Sequence, residues 1–180
     1  MCMASVCIDD AGRFVTSVIV RLTGASLQKS VPGQLVALNN ADAMSTSWLD
    51  IERFRHLVGQ AFYAAHIGEA DALLLAFDQG ADYDSPNFLW FRSRFASFVY
   101  VDRVIVAGGA RGRGLARRLY EDLFLKVRER GHDRVVCEVN SQPPNIASDA
   151  FHAAMGFLEL GTGAPYEDAK RVRYLVRYIG

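Results

Sequence analysis

Val104-Ile-Val-Ala-Gly-Gly-Ala-Arg-Gly-Arg-Gly-Leu-Ala116 joins a strand to a helix through a turn rich in glycine and arginine. Its β-branched start closes an apolar run that begins at Phe98 and reads as a strand, and the Gly108-Gly109 pair breaks that strand. Leu115, Leu119, Leu123 and Val127 then recur at helical spacing as far as Arg130. The helix has its own stop, because Arg128 and Arg130 suit the negative end of a helix dipole and Gly131 follows them. Between strand and helix lies a turn made of glycine and arginine. A helix start points unpaired amide groups and positive potential outwards, glycines let an anion approach the main chain, and Arg111 and Arg113 add charge. Two other phosphate loops fail at this position: a P-loop needs Gly-Lys-Ser/Thr where Gly114-Leu115-Ala116 stands, and a dinucleotide turn needs a small residue in place of Arg117.

C-terminal to this helix, Arg134 to Asn140 reads as a strand, closed by Pro143 and Pro144. Asn145 can cap a helix that ends at Met155 and Gly156. Phe157 to Leu160 is a short strand. Lys170 to Tyr178 alternates Val172, Tyr174, Val176 and Tyr178 with Arg171, Arg173 and Arg177, which predicts one buried and one wet face. On the N-terminal side, residues up to Gly12 read as a loose leader and Phe14 to Leu22 as a first strand. Gln34 to Met44 and Trp48 to Leu57 read as helices, and Gln60 to His66 with Ala72 to Asp78 as an antiparallel hairpin turning at Gly68 to Ala70. A long aromatic connection is expected from Gln79 to Arg94. Strands alternating with helices make this a mixed α/β sheet domain.

With 180 residues, one domain spanning residues 1–180 is the expectation. The 20 basic and 20 acidic residues cancel, so the molecule as a whole has no pull towards nucleic acid or an anionic membrane, and any anion site is local. Cys2, Cys7 and Cys137 form no CxxC pair and have no partners at metal-ligand spacing, which points to reduced thiols and no metal. No signal-like N-terminus and no apolar run of ~18 residues is present, so the expectation is a cytoplasmic chain with neither a membrane nor a nucleic-acid partner. A homodimer is among the assemblies open to such a chain.

Arg111-x-x-Gly114-x-Ala116 after Val104-Ile-Val106 resembles the acetyl-CoA signature of the GNAT superfamily of N-acetyltransferases. About thirty residues on, Asn145-x-x-Ser148-x-x-Phe151-His152-x-x-x-Gly156-Phe157 resembles the second block of that family. The match runs over roughly Phe98 to Leu160. The first ninety residues resemble the family's strand, two helices and hairpin only loosely. The resemblance implies a mostly antiparallel sheet flanked by helices, with a splayed strand pair that holds acetyl-CoA and no metal. It implies that the backbone of Val104 and Val106 binds the pantetheine arm, that Arg111, Gly112, Arg113, Gly114, Leu115, Ala116 and Arg117 bind the pyrophosphate, and that Asn145 contacts the other side of the arm. The acyl group would then go to a primary amine of a small molecule or peptide, by direct attack in a ternary complex.

Acyl transfer to an amine needs a neutral nucleophile, an oxyanion stabiliser and a proton for the thiolate. The resemblance places a general-base carboxylate at Glu138 and puts His152 where the family most often has a general-acid Tyr. The alternatives are a solvent-facing Glu138 paired with Arg134 or Arg171, and a His152 on the helix surface beside Asp149. The oxyanion donor would be a main-chain amide near Val106. Asp82, Asp84 and Trp90, with Tyr83 and Phe91, would suit a cationic or amphipathic acceptor, the alternative being an aromatic flap on the core. His56 and His66 read as structural. Two rival functions remain at this point: an acyl-CoA-binding sensor that needs neither Glu138 nor His152, and a nucleic-acid patch built on Arg111, Arg113, Arg117 and Arg118.

Overall fold

The structure is a computed structural model that describes residues 6–8, 14–16, 18–23, 31–41, 46–165 and 170–180. Cys2 and part of the expected leader lie outside these residues. Nine strands and five helices are described: β1 (Val6–Ile8), β2 (Phe14–Thr16), β3 (Ile19–Arg21), α1 (Val31–Ala41), α2 (Ile51–Gln60), β4 (Tyr63–Ile67), β5 (Ala72–Asp78), α3 (Pro86–Arg92), β6 (Val99–Val106), α4 (Leu115–Glu129), β7 (Arg134–Gln142), α5 (Ile146–Ala154), β8 (Leu158–Gly163) and β9 (Arg171–Tyr178). Strands β3 to β9 form a seven-stranded, mostly antiparallel sheet in the order β3-β4-β5-β6-β7-β9-β8, and β1 and β2 form a separate antiparallel ribbon. The expected strand over Phe14 to Leu22 is therefore two short strands in different sheets, and the expected leader contributes β1.

Among the strand pairs described in register, β6 with β7 is parallel. Its registered partners are Val99 with Val135 and Tyr100 with Val136, although the strands continue to Val106 and Gln142. This is the splayed pair of the expected fold class.

The backbone falls into two compact units. The first takes in residues up to Gly59 together with Ala64–Leu74 and Val104–Leu119. Here Asp50 starts α2, because its carboxylate accepts the Arg53 amide hydrogen at 2.7 Å, and the helix buries Phe54, Leu57 and Val58. That cap sets the start two residues beyond Leu49 and carries the helix to Gln60, so β4 begins later than the expected Gln60. His66 is buried with Nδ1 at 2.8 Å from the Gly68 carbonyl, a structural role as expected.

The second unit comprises Gln60–Tyr63, Leu75–Arg103 and Tyr120–Gly180. Its main departure from expectation is α3, which interrupts the supposed loop from Gln79 to Arg94. Ser85-Pro86 is a start signal, since proline at the first helical position loses no bond, and Phe88 and Phe91 are both buried one turn apart. Helix α5 begins as expected at Asn145, whose side-chain oxygen accepts the Ser148 amide hydrogen at 3.1 Å. In β9, Tyr174, Leu175 and Val176 are consecutive and all buried, so both faces of its middle are covered, while Tyr178 is exposed. The expected alternation holds at Val172, Tyr174 and Val176, which are buried, and breaks at Leu175, which points to the opposite face and is buried too, and at Tyr178.

Candidate active site

In the first unit the turn has the form its sequence predicts. Gly108–Ala110 make one 3-10 turn, residues 111–114 are exposed, and α4 begins at Leu115, which is buried. Gly112 and Gly114 sit at φ 76° and 71°, the left-handed region where a side chain is strained, so these two positions need glycine. The loop is held by Ala107, whose amide donates to the Asp71 carbonyl at 2.9 Å, and by Arg113, 3.6 Å from the Asp71 carboxylate. Arg111 is exposed just after the 3-10 turn, and on the first turn of α4 Arg117 is exposed and Ala116 half-buried. On β6, Val104 and Val106 are half-buried on one face while Ile105 is buried on the other.

In the second unit the chemistry gathers around Glu138. Its backbone lies opposite Tyr174 in the β7–β9 ladder. One carboxylate oxygen, Oε1, accepts the Asn87 amide hydrogen at 2.8 Å and the Tyr100 hydroxyl at 3.1 Å. The other, Oε2, is shut off from solvent and has no hydrogen-bond partner among the described residues. Burial pushes the Glu138 pKa up to about 8, the Asp102 charge adds to the effect, and the bonds from Tyr100 and Asn87 oppose it. Pairing of Glu138 with Arg134 or Arg171 does not occur: Arg134 holds Asp133 at 2.7 Å, and Arg171 stands opposite Gln142.

Asp102 accepts the Tyr83 hydroxyl and pairs with Arg103, both at 2.5 Å, and Arg103 is buried. Burial, followed by the Asp102 charge, raises the Tyr83 pKa above its ordinary value. The walls are aromatic: Tyr83 stacks on Phe77 with centroids 4.6 Å apart, and Phe88 and Phe91 reach Tyr100 at 5.7 and 5.9 Å.

His152 is not on the helix surface; it is buried. Its Nδ1 lies 2.8 Å from the Ser148 carbonyl and its Nε2 lies 2.8 Å from the Tyr120 hydroxyl. A carbonyl only accepts, so Nδ1 carries the hydrogen and, in the neutral ring, Nε2 accepts from Tyr120. Burial lowers the His152 pKa against the opposing effects of Ser148 and Asp149, so the ring is neutral near pH 7. Asp149 is paired with Arg173. Asn145 is engaged at its oxygen as the cap of α5.

Asp82 and Asp84 are exposed in the segment between β5 and α3. Trp90, on α3, stacks on Tyr174 with centroids 3.9 Å apart and carries the Arg94 guanidinium 3.8 Å from its ring centre. Its aromatic face thus already holds a cation. Cys137 is free and buried, and burial raises its thiol pKa. Among the described residues no His, Cys, Asp and Glu cluster could hold a metal, and no helix is long and apolar enough to cross a membrane.

The sequence pattern of the acetyltransferase (GNAT) family matches residues 43–157. The chain belongs to the GNAT acetyltransferase family. Membership makes acetyl transfer from acetyl-CoA the activity class. No curated protein matches this GNAT chain. Solved GNAT-like structures share its fold. A chain of the NatC complex solved with Gag peptide and CoA is 16% identical, with TM-score 0.66 over 91% of this chain and 98% of that one. The ribosomal-protein-alanine N-acetyltransferase from Brucella melitensis is 20% identical, with TM-score 0.65 over 89% and 99%. An aminoglycoside 6'-N-acetyltransferase complexed with coenzyme A is 11% identical, with TM-score 0.69 over 91% and 97%.

Sequence reasoning missed Asn87, Tyr100, Asp102 and the part played by Tyr174. Tyr100 and Asp102 carried a signal, since period two from Val104 and Val106 points to them. Asn87 carried none once α3 was read as loop.

Proposed function

We propose that this GNAT protein transfers the acetyl group of acetyl-CoA directly to a primary amine in a ternary complex, with Glu138 as the general base. One observation carries the reading: a buried carboxylate with one oxygen pinned by two neutral donors and the other bare. A base is most useful when its pKa lies near the working pH, and burial brings Glu138 to about 8. The attacking nitrogen forms a bond to the acetyl carbon, the carbon–sulfur bond breaks, the amine proton passes to Oε2 of Glu138 directly or through water, and CoA leaves as thiolate.

In this reading residues 1–180 act as one acetyltransferase domain. The backbone of Val104 and Val106 holds the pantetheine arm, and an amide near Val106 meets the oxyanion. Arg111, Gly112, Arg113, Gly114, Leu115, Ala116 and Arg117 hold the pyrophosphate, supported by the glycine conformations and the start of α4. Asn145 meets the arm from the other side. Asp82 and Asp84 draw a cationic amine to the acceptor side by charge, and Trp90, holding Arg94, offers the acceptor apolar contact. The acceptor is a peptide or small-molecule amine, in line with the peptide named for the NatC structure and the aminoglycoside acetyltransferase among the similar folds.

For His152 the geometry supports a structural part instead of proton donation. Its one ring hydrogen is committed to Ser148, its other nitrogen accepts from Tyr120, and burial keeps it neutral. Near pH 8 a thiol with an ordinary pKa of ~8.5 leaves readily as the anion, so the reading assigns no protein acid to it.

The test is thiol release from acetyl-CoA by the purified chain against a panel of peptides, amino acids, polyamines and aminoglycosides, with wild type beside Glu138→Gln. Turnover with at least one amine, and its loss by ~10² or more in the variant, is expected. No turnover with any amine sinks the catalytic reading, and an undiminished variant sinks the role of Glu138.

A further inference from the structure

We infer that Asn87 is a positioning residue for Glu138: its amide, fixed from behind by the Tyr174 hydroxyl, occupies Oε1 and leaves Oε2 as the single oxygen that exchanges a proton. The inference rests on the reading of Glu138 as the base and adds to it which oxygen acts and what selects it.

The hydrogen bonds form a directed chain. Tyr174 donates its hydroxyl hydrogen to Asn87 Oδ1 at 3.2 Å, Asn87 Nδ2 donates to Glu138 Oε1 at 2.8 Å, and Tyr100 donates to the same Oε1 at 3.1 Å. A carboxylate only accepts, so Asn87 has to turn its NH2 group towards Glu138, and Oδ1 then faces Tyr174 as an acceptor. Remove the Tyr174 hydroxyl and nothing described opposes a half-turn of the amide, which would set Oδ1 against Oε1, acceptor against acceptor. With both donors on Oε1, the proton of the neutral acid resides on Oε2.

The Tyr174 ring is itself held from two sides of the sequence. It stacks on Trp90 of α3, with 15° between the planes, and a Cβ added to Gly163 of β8 would come within 2.6 Å of its Cε2. Glycine at 163 leaves the ring its place. Asn87 is itself buried on α3, three residues before Trp90. Five elements, α3, β6, β7, β8 and β9, thus converge on one carboxylate.

A donor to an ionised group stabilises the ionised form, so losing Asn87 raises the pH at which Glu138 gives up its proton, whereas an amide that merely fills space would leave that pH unchanged. The experiment uses the full chain labelled with ¹³C at glutamate carboxyl carbons. The Glu138 signal is assigned by its disappearance in Glu138→Gln and titrated in wild type, Asn87→Leu and Tyr174→Phe. Acetyl-CoA turnover with the best amine of the panel is followed over the same pH range. In Asn87→Leu the midpoint moves up by about one pH unit, the acid limb of kcat moves with it, and kcat at pH 8 falls about fivefold or more while the KM for acetyl-CoA holds. In Tyr174→Phe, which keeps the ring and its stacking, the shift has the same sign and kcat falls about fivefold.

Should Asn87→Leu fail to fold, Tyr174→Phe decides alone. A midpoint unmoved in the folded variants overturns the inference. A Glu138→Gln enzyme with full kcat would remove the base from the mechanism without touching the titration, so the two failures are told apart.

Discussion

Replacing Glu138 by Gln should make the enzyme slower and, as pH rises above 5, progressively more stable relative to wild type. A carboxyl group with an unfolded pKa of 4.5 and a folded value of about 8 holds its proton more tightly in the folded state. Folding then has its full strength below the unfolded pKa and weakens as pH rises towards the folded one. The raised interval is about 3.5 units; at 1.36 kcal/mol per unit the loss approaches ~5 kcal/mol on the plateau, is about 4 at pH 8 and stays near ~1 at pH 5. Gln has nearly the same shape, still accepts from Asn87 and Tyr100 through its oxygen, and does not ionise. Any fixed cost of its buried NH2 group cancels when one pH is compared with another. The expected result is that the stability difference between variant and wild type, measured by urea unfolding, swings in favour of the variant by about 3 kcal/mol between pH 5 and pH 8. Over the same range kcat drops by ~10² or more and its acid limb near pH 8 disappears. A difference that stays flat with pH would show that Glu138 is not held protonated by burial, and the argument for its basicity would fail with it.

Three further outcomes follow from the same contacts. His152→Phe should lower stability by ~1–3 kcal/mol, because the buried Tyr120 hydroxyl loses its acceptor, while kcat stays within a few-fold; a hundredfold loss of kcat in the folded variant would make His152 the acid after all. Gly163→Ala should drive the Tyr174 ring from its place, costing ~1–3 kcal/mol in unfolding experiments and lowering kcat in the direction of Tyr174→Phe; unchanged kcat would disconnect β8 from the base. Arg111→Ala should raise the KM for acetyl-CoA by ~10-fold with little effect on kcat, and the wild-type KM should climb with salt; a KM indifferent to both would move the pyrophosphate elsewhere.

The parts of this fold that were legible in the sequence are those where one local rule acts alone. The Arg111 turn is a case: Gly112 and Gly114 are glycines because the backbone there has positive φ, and that need is written in the sequence whatever else surrounds it. The caps are another, with Asn145 found where a helix start was expected. Helix α3 was missed although Ser85-Pro86 announced it, because seven residues are too few for a clear period and three of them, Phe88, Trp90 and Phe91, look like strand or core. The same miss hid Asn87. A polar residue inside an unrecognised helix gives no sign of which strand it will face.

Glu138 shows the reverse relation between local rule and fold. By itself, an acid in a run of Val135, Val136, Cys137 and Val139 reads as the wet position of a strand, and residues of this type are rarely buried without a partner. Sheet order reverses that reading. Strand β9 lies beside β7 and sets Tyr174 opposite Glu138, α3 brings Asn87, and β6 brings Tyr100, so the acid is enclosed by groups far from it in sequence. None of these neighbours is a cation bonded to it, and each supplied donor reaches the same oxygen. An acid placed there for stability alone would be expected to carry a salt bridge or to be replaced by an apolar residue, since burial penalises its charge. Keeping it with Oε2 bare makes sense where a proton has to be taken up and given back near neutral pH, a task that a fully paired carboxylate performs poorly.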